Sequence, residues 1–438
     1  MKTKNIFLSV FQWFIYLLAN SIAIPIVIGN LFGFSEIELN SFLQRVFLLV
    51  GISSFIQAKF GHRYPIADGP AGSWVSIFVI YASIGTQLGK PMIETLQILE
   101  AGIFTSGLLL FVLGLTKWVR HLLFLFTPIV TGTFLLILAV QLSGVFLQGM
   151  ISNSNSEGQM DIISFFLSLF VFFLIVSLKV KGKGWLKSYT ILIGLLFGWL
   201  LFAIFGKGST PIANSDAMMV LPGIFVWGFP EFNGSIIITS LLFTFLLISN
   251  IIATISSAQE AMPCQNKLFQ ERLYSSTWAG GTSHILSTIF SSIGVVPLPA
   301  TAGFIKLTKQ YRIVPFLIAC GILIVVSLFP SITGLLAGLP LPVASAVLLA
   351  TLIEMFGIAF RSLAKNQLNA RNTLVTGTSI LVGISTMFLS EGFLSGLPGI
   401  MQFLCSNGLL VGTILAIFLE QALKKKVIIL DEMQEKRF

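Results

Sequence analysis

The chain has 438 residues, of which 55% are hydrophobic and only 10% charged, against about 25% charged in a soluble protein. A mean hydropathy of +0.94 excludes one apolar core inside a solvated shell, so lipid must be the solvent for much of the chain. The net charge of +9 does not point to nucleic acid, because the basic residues sit in short clusters between long apolar runs, where they orient a membrane protein and meet anionic headgroups.

A bilayer core about 30 Å thick takes roughly 20 apolar residues in helical form. In chain order this predicts spans over 9–31, 42–60, 95–116, 122–146, 162–180, 188–206, 236–258, 276–294, 313–336, 341–360, 373–390 and 395–420. The first follows Lys2 and Lys4 but outruns the roughly 7–15 apolar residues of a signal peptide, so it is expected to remain as a helix. Two shorter apolar pieces, 70–85 and 297–308, open on Gly and Pro, and counting both as crossings gives fourteen. With the N-terminus inside, that count sends all but three of the 26 basic residues to the cytoplasmic side, the exceptions being Arg45, Lys90 and Lys207. Both termini are therefore expected in the cytoplasm, and a bacterial inner (plasma) membrane is the expected location.

Each short piece is third in its half if the chain is divided into 1–215 and 230–438. Seven segments is an odd number, so the halves would run in opposite directions. The expected fold class is an all-α polytopic membrane protein of fourteen segments in two inverted repeats, with segments 3 and 10 broken by brief extended pieces. Matching short segments interrupted by Gly and Pro point to the binding site of a transporter. Non-helical backbone at membrane depth is costly unless it is buried or lines a polar cavity. Half-helices starting near Ala71 and Thr301 would turn their first amides inward, toward an acceptor-rich ligand or an anion. The alternative is a pair of ordinary bent helices.

Cys264, Cys320 and Cys405 are scattered, as are His62, His121 and His284, so neither a metal site nor a disulfide framework is expected. No cofactor is implied. No paired catalytic carboxylates and no Ser/His/Asp arrangement appear, so the chain is not expected to be an enzyme.

Several motifs resemble the nucleobase–ascorbate transporter family, whose members include uracil and xanthine permeases. Gln12-Trp13, followed by Pro25, is similar to the family's Gln-His opening and its later Pro, with Trp13 in the His place. Ala300-Thr301-Ala302-Gly303, four further residues and Thr308-Lys309 keep the Gly, the Thr and the basic residue of the signature Gln/Glu/Pro-Asn-x-Gly-x4-Thr-Arg/Lys/Gly. Leu-Pro-Leu-Pro at 339–342 resembles the family's Pro-x-Pro before segment twelve. The likeness covers nearly the whole chain. It departs where the family holds its substrate: Ala300-Thr301 replace Gln/Glu-Asn, and Asn250 occupies the place of the carboxylate on segment eight.

The resemblance implies alternating access, with a core domain (segments 1–4 and 8–11) moving against a gate domain (segments 5–7 and 12–14). The implied substrate is a purine or related nucleobase and the implied partner ion a proton or another cation. A homodimer is compatible with this layout, the sequence leaving the oligomeric state open. Asn250 offers one acceptor and two donors to a base edge but takes up no proton. Ala71, Gly72, Ser73, Ala300, Thr301 and Gly303 are expected around the ligand, with Trp74 either stacking on it or packed in the protein. Asp68, directly before the break, and Glu354, mid-way along the twelfth span, are the candidates for the coupling proton, each against a structural role. Glu100 is expected near the membrane interface, and Glu420 to snorkel to the cytoplasm. An anion carrier on the same layout and a non-transporting nucleobase sensor are the competing readings.

Overall fold

The computed structural model describes residues 3–87, 89–125, 127–151, 161–207, 218–263, 269–365, 369–389 and 407–435. Helices α1 (Thr3–Leu31) and α2 (Glu36–Lys59) are joined by a tight turn at which Ser35 and Glu38 cap each other's backbone amides. Strand β1 (Asp68–Pro70) leads into α3 (Gly72–Gln87), then α4 (Met92–Leu115), the short α5 (Val119–Leu122), α6 (Pro128–Ile151), α7 (Ile162–Lys181), the short α8 (Trp185–Ser188) and α9 (Thr190–Ile204). After a connector come α10 (Gly234–Ala261), α11 (Phe269–Ile289), strand β2 (Val295–Pro297), α12 (Thr301–Thr308), α13 (Ile313–Val326), α14 (Pro330–Ala337), α15 (Leu341–Ala364), α16 (Ala370–Thr386) and α17 (Gly408–Glu435). Among the described residues seven helices are long and apolar enough to cross a membrane, or eight if α13 and α14 form one span. The chain is thus a multi-pass, predominantly helical membrane protein.

Two compact units make up the chain: Met1–Lys117 with Ser143–Thr351, and Trp118–Leu142 with Leu352–Phe438. In the first, α4 and α11 approach backbone to backbone. A Cβ added at Gly114 would lie 2.3 Å from the amide nitrogen of Trp278, and one at Gly281 would lie 2.3 Å from that of Phe111. Small residues of this kind let membrane helices pack without a hydrophobic driving force between them. In the second unit α16 and α17 meet likewise through Gly383 and Gly408.

Several expectations are corrected here. The single span over 313–336 is two helices, α13 and α14, bent by 90°. Pro330, at the first position of α14, has no amide to continue α13, and Gln44 donates instead to the Ser327 carbonyl left over at the bend. The last span begins at Gly408 and runs on to Glu435; the 395–406 part of the expected 395–420 lies outside the described residues.

Glu100 is fully buried within the protein, on a helix that shares the first unit with the buried Arg45. Glu420 does not snorkel: it is 4% exposed and its carboxylate lies 2.9 Å from Arg371. The three exceptions to the basic-residue pattern also find local reasons. Lys90 pairs with Glu94 and Lys207 with Asp161. Arg45 is inside the protein, donating to Ser41 and to the Ser291 carbonyl with Phe42 and Trp227 near its guanidinium.

Candidate functional site at the broken segments

The two interrupted pieces meet. β1 and β2 pair antiparallel, with Asp68 opposite Pro297, Gly69 opposite Val296 and Pro70 opposite Val295. Leu298 donates its amide to Ala67, and Ala71 donates its own to Gly294, extending the ladder at both ends. A pair of strands supplies most of the backbone partners that broken helices would otherwise lack at membrane depth. α3 and α12 then start at Gly72 and Thr301, as the Gly/Pro pattern predicts.

The two half-helices differ at their N-termini. In α12 the amides of Thr301, Ala302 and Gly303 donate to Leu298, Pro299 and Ala300, so that end is closed by its own tight turn. This corrects the expectation that α12 offers its first amides to a ligand. In α3 Trp74 and Val75 donate to Ala71, while the amides of Gly72 and Ser73 have no acceptor among the described residues. The open amides therefore belong to α3 alone.

Asn250, on α10, faces this place and is half-buried. One amide proton goes to the Pro297 carbonyl at 3.0 Å, a carbonyl that also accepts from Thr254 at 3.1 Å. The other proton and Oδ1 of Asn250 have no hydrogen bond among the described residues. From α1, Tyr16 reaches Thr301 with its hydroxyl at 3.4 Å and lays its ring against Phe304, centroids 4.3 Å apart. Trp13, in the position where the resembled family has His, is buried between Phe304 and Phe316, both at 4.9 Å, with no partner for its indole nitrogen among the described residues. Ala300 is half-buried, and Gly303 is exposed with open space where a Cβ would stand.

Trp74 takes the packed alternative. It is fully buried, its ring 4.5 Å from that of Phe243, and it donates to Nε2 of His284 at 3.1 Å. The other ring nitrogen of His284 lies 2.9 Å from the Gly280 carbonyl, so His284 carries its proton on Nδ1 and accepts on Nε2. No ring face of Trp74 is left for a planar ligand in this conformation. Gly294 makes the contact possible, since a Cβ there would fall 2.4 Å from Nε1 of Trp74 and 2.9 Å from Nε2 of His284.

Asp68 is 1% exposed. Oδ2 is in hydrogen-bond contact with the Ser53 hydroxyl, the backbone amide donates to Ser54, and Oδ1 has no partner among the described residues. Arg63, a possible counter-charge by sequence proximity, is not paired with it among the described residues. Glu354 lies half-buried on α15, in the second unit. Sequence reasoning missed Ser53 and Ser283 on α2 and α11, because serines in an apolar helix carry no pattern that marks them as neighbours of a carboxylate.

Residues 4–392 match the family Xan_ur_permease, described as "Permease family". The chain belongs to this permease family. It is a transporter and not an enzyme. Over 418 residues this permease is 33% identical to the "Putative purine permease YwdJ" of Bacillus subtilis (strain 168), covering 94% of this chain and 95% of that one. The xanthine permease of the same organism is 24% identical over 92% of this chain and 90% of its own. Among solved structures, the transmembrane domain of the cyanobacterial bicarbonate transporter BicA superposes with a TM-score of 0.66 at 14% identity, covering 95% of this permease and 98% of that domain. At such low identity the likeness is one of fold.

Proposed function

We propose that this permease carries a purine or related nucleobase across the plasma membrane by proton symport and alternating access. The reading rests first on Asn250. One of its amide protons fixes the side chain to Pro297, and the remaining proton and Oδ1 form a donor–acceptor pair suited to a base edge. The open amides of Gly72 and Ser73, at the start of α3, supply donors to base carbonyls at the same break. Ala71, Ala300, Thr301 and Gly303 complete the surroundings, and relatives named as purine and xanthine permeases support the substrate class.

Fourteen crossings in two inverted repeats, with both termini cytoplasmic, is the topology that fits this mechanism, a core domain moving against a gate domain. Asp68 is the group we assign to the coupling proton: it is buried at the crossing of β1 and β2, and Asn250 has no proton to exchange. Glu354 is the second candidate.

Uptake of radiolabelled hypoxanthine, guanine, xanthine and uracil, in cells lacking their own permeases and with and without a protonophore, tests the proposal. Saturable uptake abolished by the protonophore supports it; exclusion of all four bases by correctly inserted protein refutes it. Asp68→Asn should lose uphill accumulation while retaining exchange of labelled for unlabelled base. A second reading, an anion carrier, is favoured by the two open amides of α3. Competition for uptake by bicarbonate or a small carboxylate would distinguish it.

A further inference from the structure

Three oxygen–oxygen contacts run in line from β1 through α2 into α11. Asp68 Oδ2 meets Ser53 Oγ, Ser53 Oγ meets Ser283 Oγ at 2.7 Å, and Ser283 Oγ meets the Ala279 carbonyl at 3.0 Å. Each contact needs one proton between its two oxygens, and each serine hydroxyl carries only one. The carbonyl has none to give. The two serines supply two protons for three contacts, so filling all three takes one more, carried by the carboxyl of Asp68. The surroundings agree. Asp68 is buried, and Oδ1 has no partner among the described residues. A bare carbonyl oxygen in a buried site costs far less than a bare carboxylate oxygen.

We infer that Asp68 is held as a neutral carboxylic acid by a directed hydroxyl relay, from Asp68 to Ser53 to Ser283 to the Ala279 carbonyl, making Ser53 and Ser283 positioning residues for the coupling proton. The inference deepens the proton-symport reading and rests on it for the word coupling; the relay itself stands on the oxygen contacts. Loss of the proton reverses the relay. Oδ2 gives up its hydrogen to the incoming base or water, Ser53 turns its hydroxyl from Ser283 to Asp68, and Ser283 turns its own from Ala279 to Ser53. The protonated direction fills all three contacts, whereas the reversed one releases the Ala279 carbonyl from Ser283, so β1, α2 and α11 share a two-state hydrogen-bond chain.

Few other titratable groups stand close. Cys320 of α13 is buried within electrostatic reach of Asp68. His284, next to Ser283, has both ring nitrogens engaged. Along its apolar length from Ile6 to Leu31, α1 brings only Tyr16, which is bonded to Thr301. On α2, Arg45 is committed to Ser41 and Ser291, Lys59 lies over Phe55 and Phe60, and Glu36 and Glu38 occupy the first turn. On α11, Glu271 is in the first turn and Arg272 donates to the His62 carbonyl.

Infrared difference spectroscopy of the full chain in lipid nanodiscs, at neutral pH and without substrate, tests the relay. The C=O stretch of a neutral carboxylic acid should be present in the wild type and absent in Asp68→Asn. Ser53→Ala should move the band toward that of an acid without an acceptor, Ser283→Ala should move it the same way by less, and Ser53→Thr should restore it. Size-exclusion profiles check folding, and Ser283→Ala keeps the test open if Ser53→Ala does not assemble. Absence of an Asp68-dependent acid band, or a band unmoved in every folded serine-to-alanine variant, overturns the inference. The band does not depend on which solute is carried, so failure of the nucleobase reading would appear separately, as absent uptake.

Discussion

Asn250 and Gly294 show two ways in which a single residue fixes this site. Asn250 spends one hydrogen bond on the Pro297 carbonyl, and the proposed function gives the rest of its amide to a ligand. Asn250→Ala leaves Thr254 on Pro297, so the strand crossing should persist while the ligand contact goes. Losing a net hydrogen bond of about 1.4 kcal/mol should raise KM for uptake roughly tenfold. An unchanged KM would remove Asn250 from the binding site. Gly294 acts through absence: its missing Cβ is the space that Trp74 and His284 share. Gly294→Ala should cost about 1–3 kcal/mol through overpacking and the strained Trp74–His284 bond. It should be read as a lowered midpoint of thermal unfolding together with a changed Trp fluorescence; wild-type values for both would contradict this account of the glycine.

Among the elements, α7 illustrates how a polar end anchors an apolar rod. Its side chains are largely exposed to the surroundings, and its N-cap Asp161 bonds the amides of Ile163 and Ser164. Asp161 also pairs with Lys207, just beyond α9, at 2.6 Å. The hydrogen bond from Lys207, seconded by the Ser164 contacts, lowers the Asp161 carboxyl from 3.8 to about 2. A carboxyl depressed in the folded state contributes stability above its ordinary value and loses it as pH falls through the depressed one. Hydrogen exchange in the first turn of α7 should therefore accelerate as pH drops from 3.8 toward 2, after correction for the intrinsic rate, and Asp161→Ala should abolish that pH dependence. A first turn equally protected across this range in both proteins would show that the cap contributes nothing. The same element-scale logic separates α3 from α12. Both begin after a break that the Gly/Pro pattern reveals, but only the α12 turn bonds its own amides, and no residue type at 298–301 announces that.

For the whole molecule, orientation is the property that the basic residues encode and that Arg45, Lys90 and Lys207 complicate. All three exceptions have local partners, so they do not weigh against a cytoplasmic N-terminus. Single cysteines placed in a background lacking the native three should report this. Lys183→Cys should react with an impermeant maleimide only in inside-out vesicles, and Lys90→Cys only in intact cells. Reaction of both from one side would break the fourteen-crossing topology, because that arrangement places them on opposite faces.

The amino-acid sequence by itself determined the membrane environment, most of the helices, the two breaks and the family, because hydropathy, Gly/Pro punctuation and motif spacing are properties of neighbouring residues. The break at Asp68-Gly69-Pro70 was legible for that reason. Tertiary structure alone decided that the breaks pair as strands, that Trp74 turns to His284, that Glu100 and Arg45 are interior, and that Ser53 and Ser283 reach Asp68. These contacts join residues as much as 230 positions apart. A serine on an apolar helix reads the same in sequence whether it faces lipid, a backbone carbonyl or a carboxylic acid; only the packing of α2 against β1 and α11 selects among them.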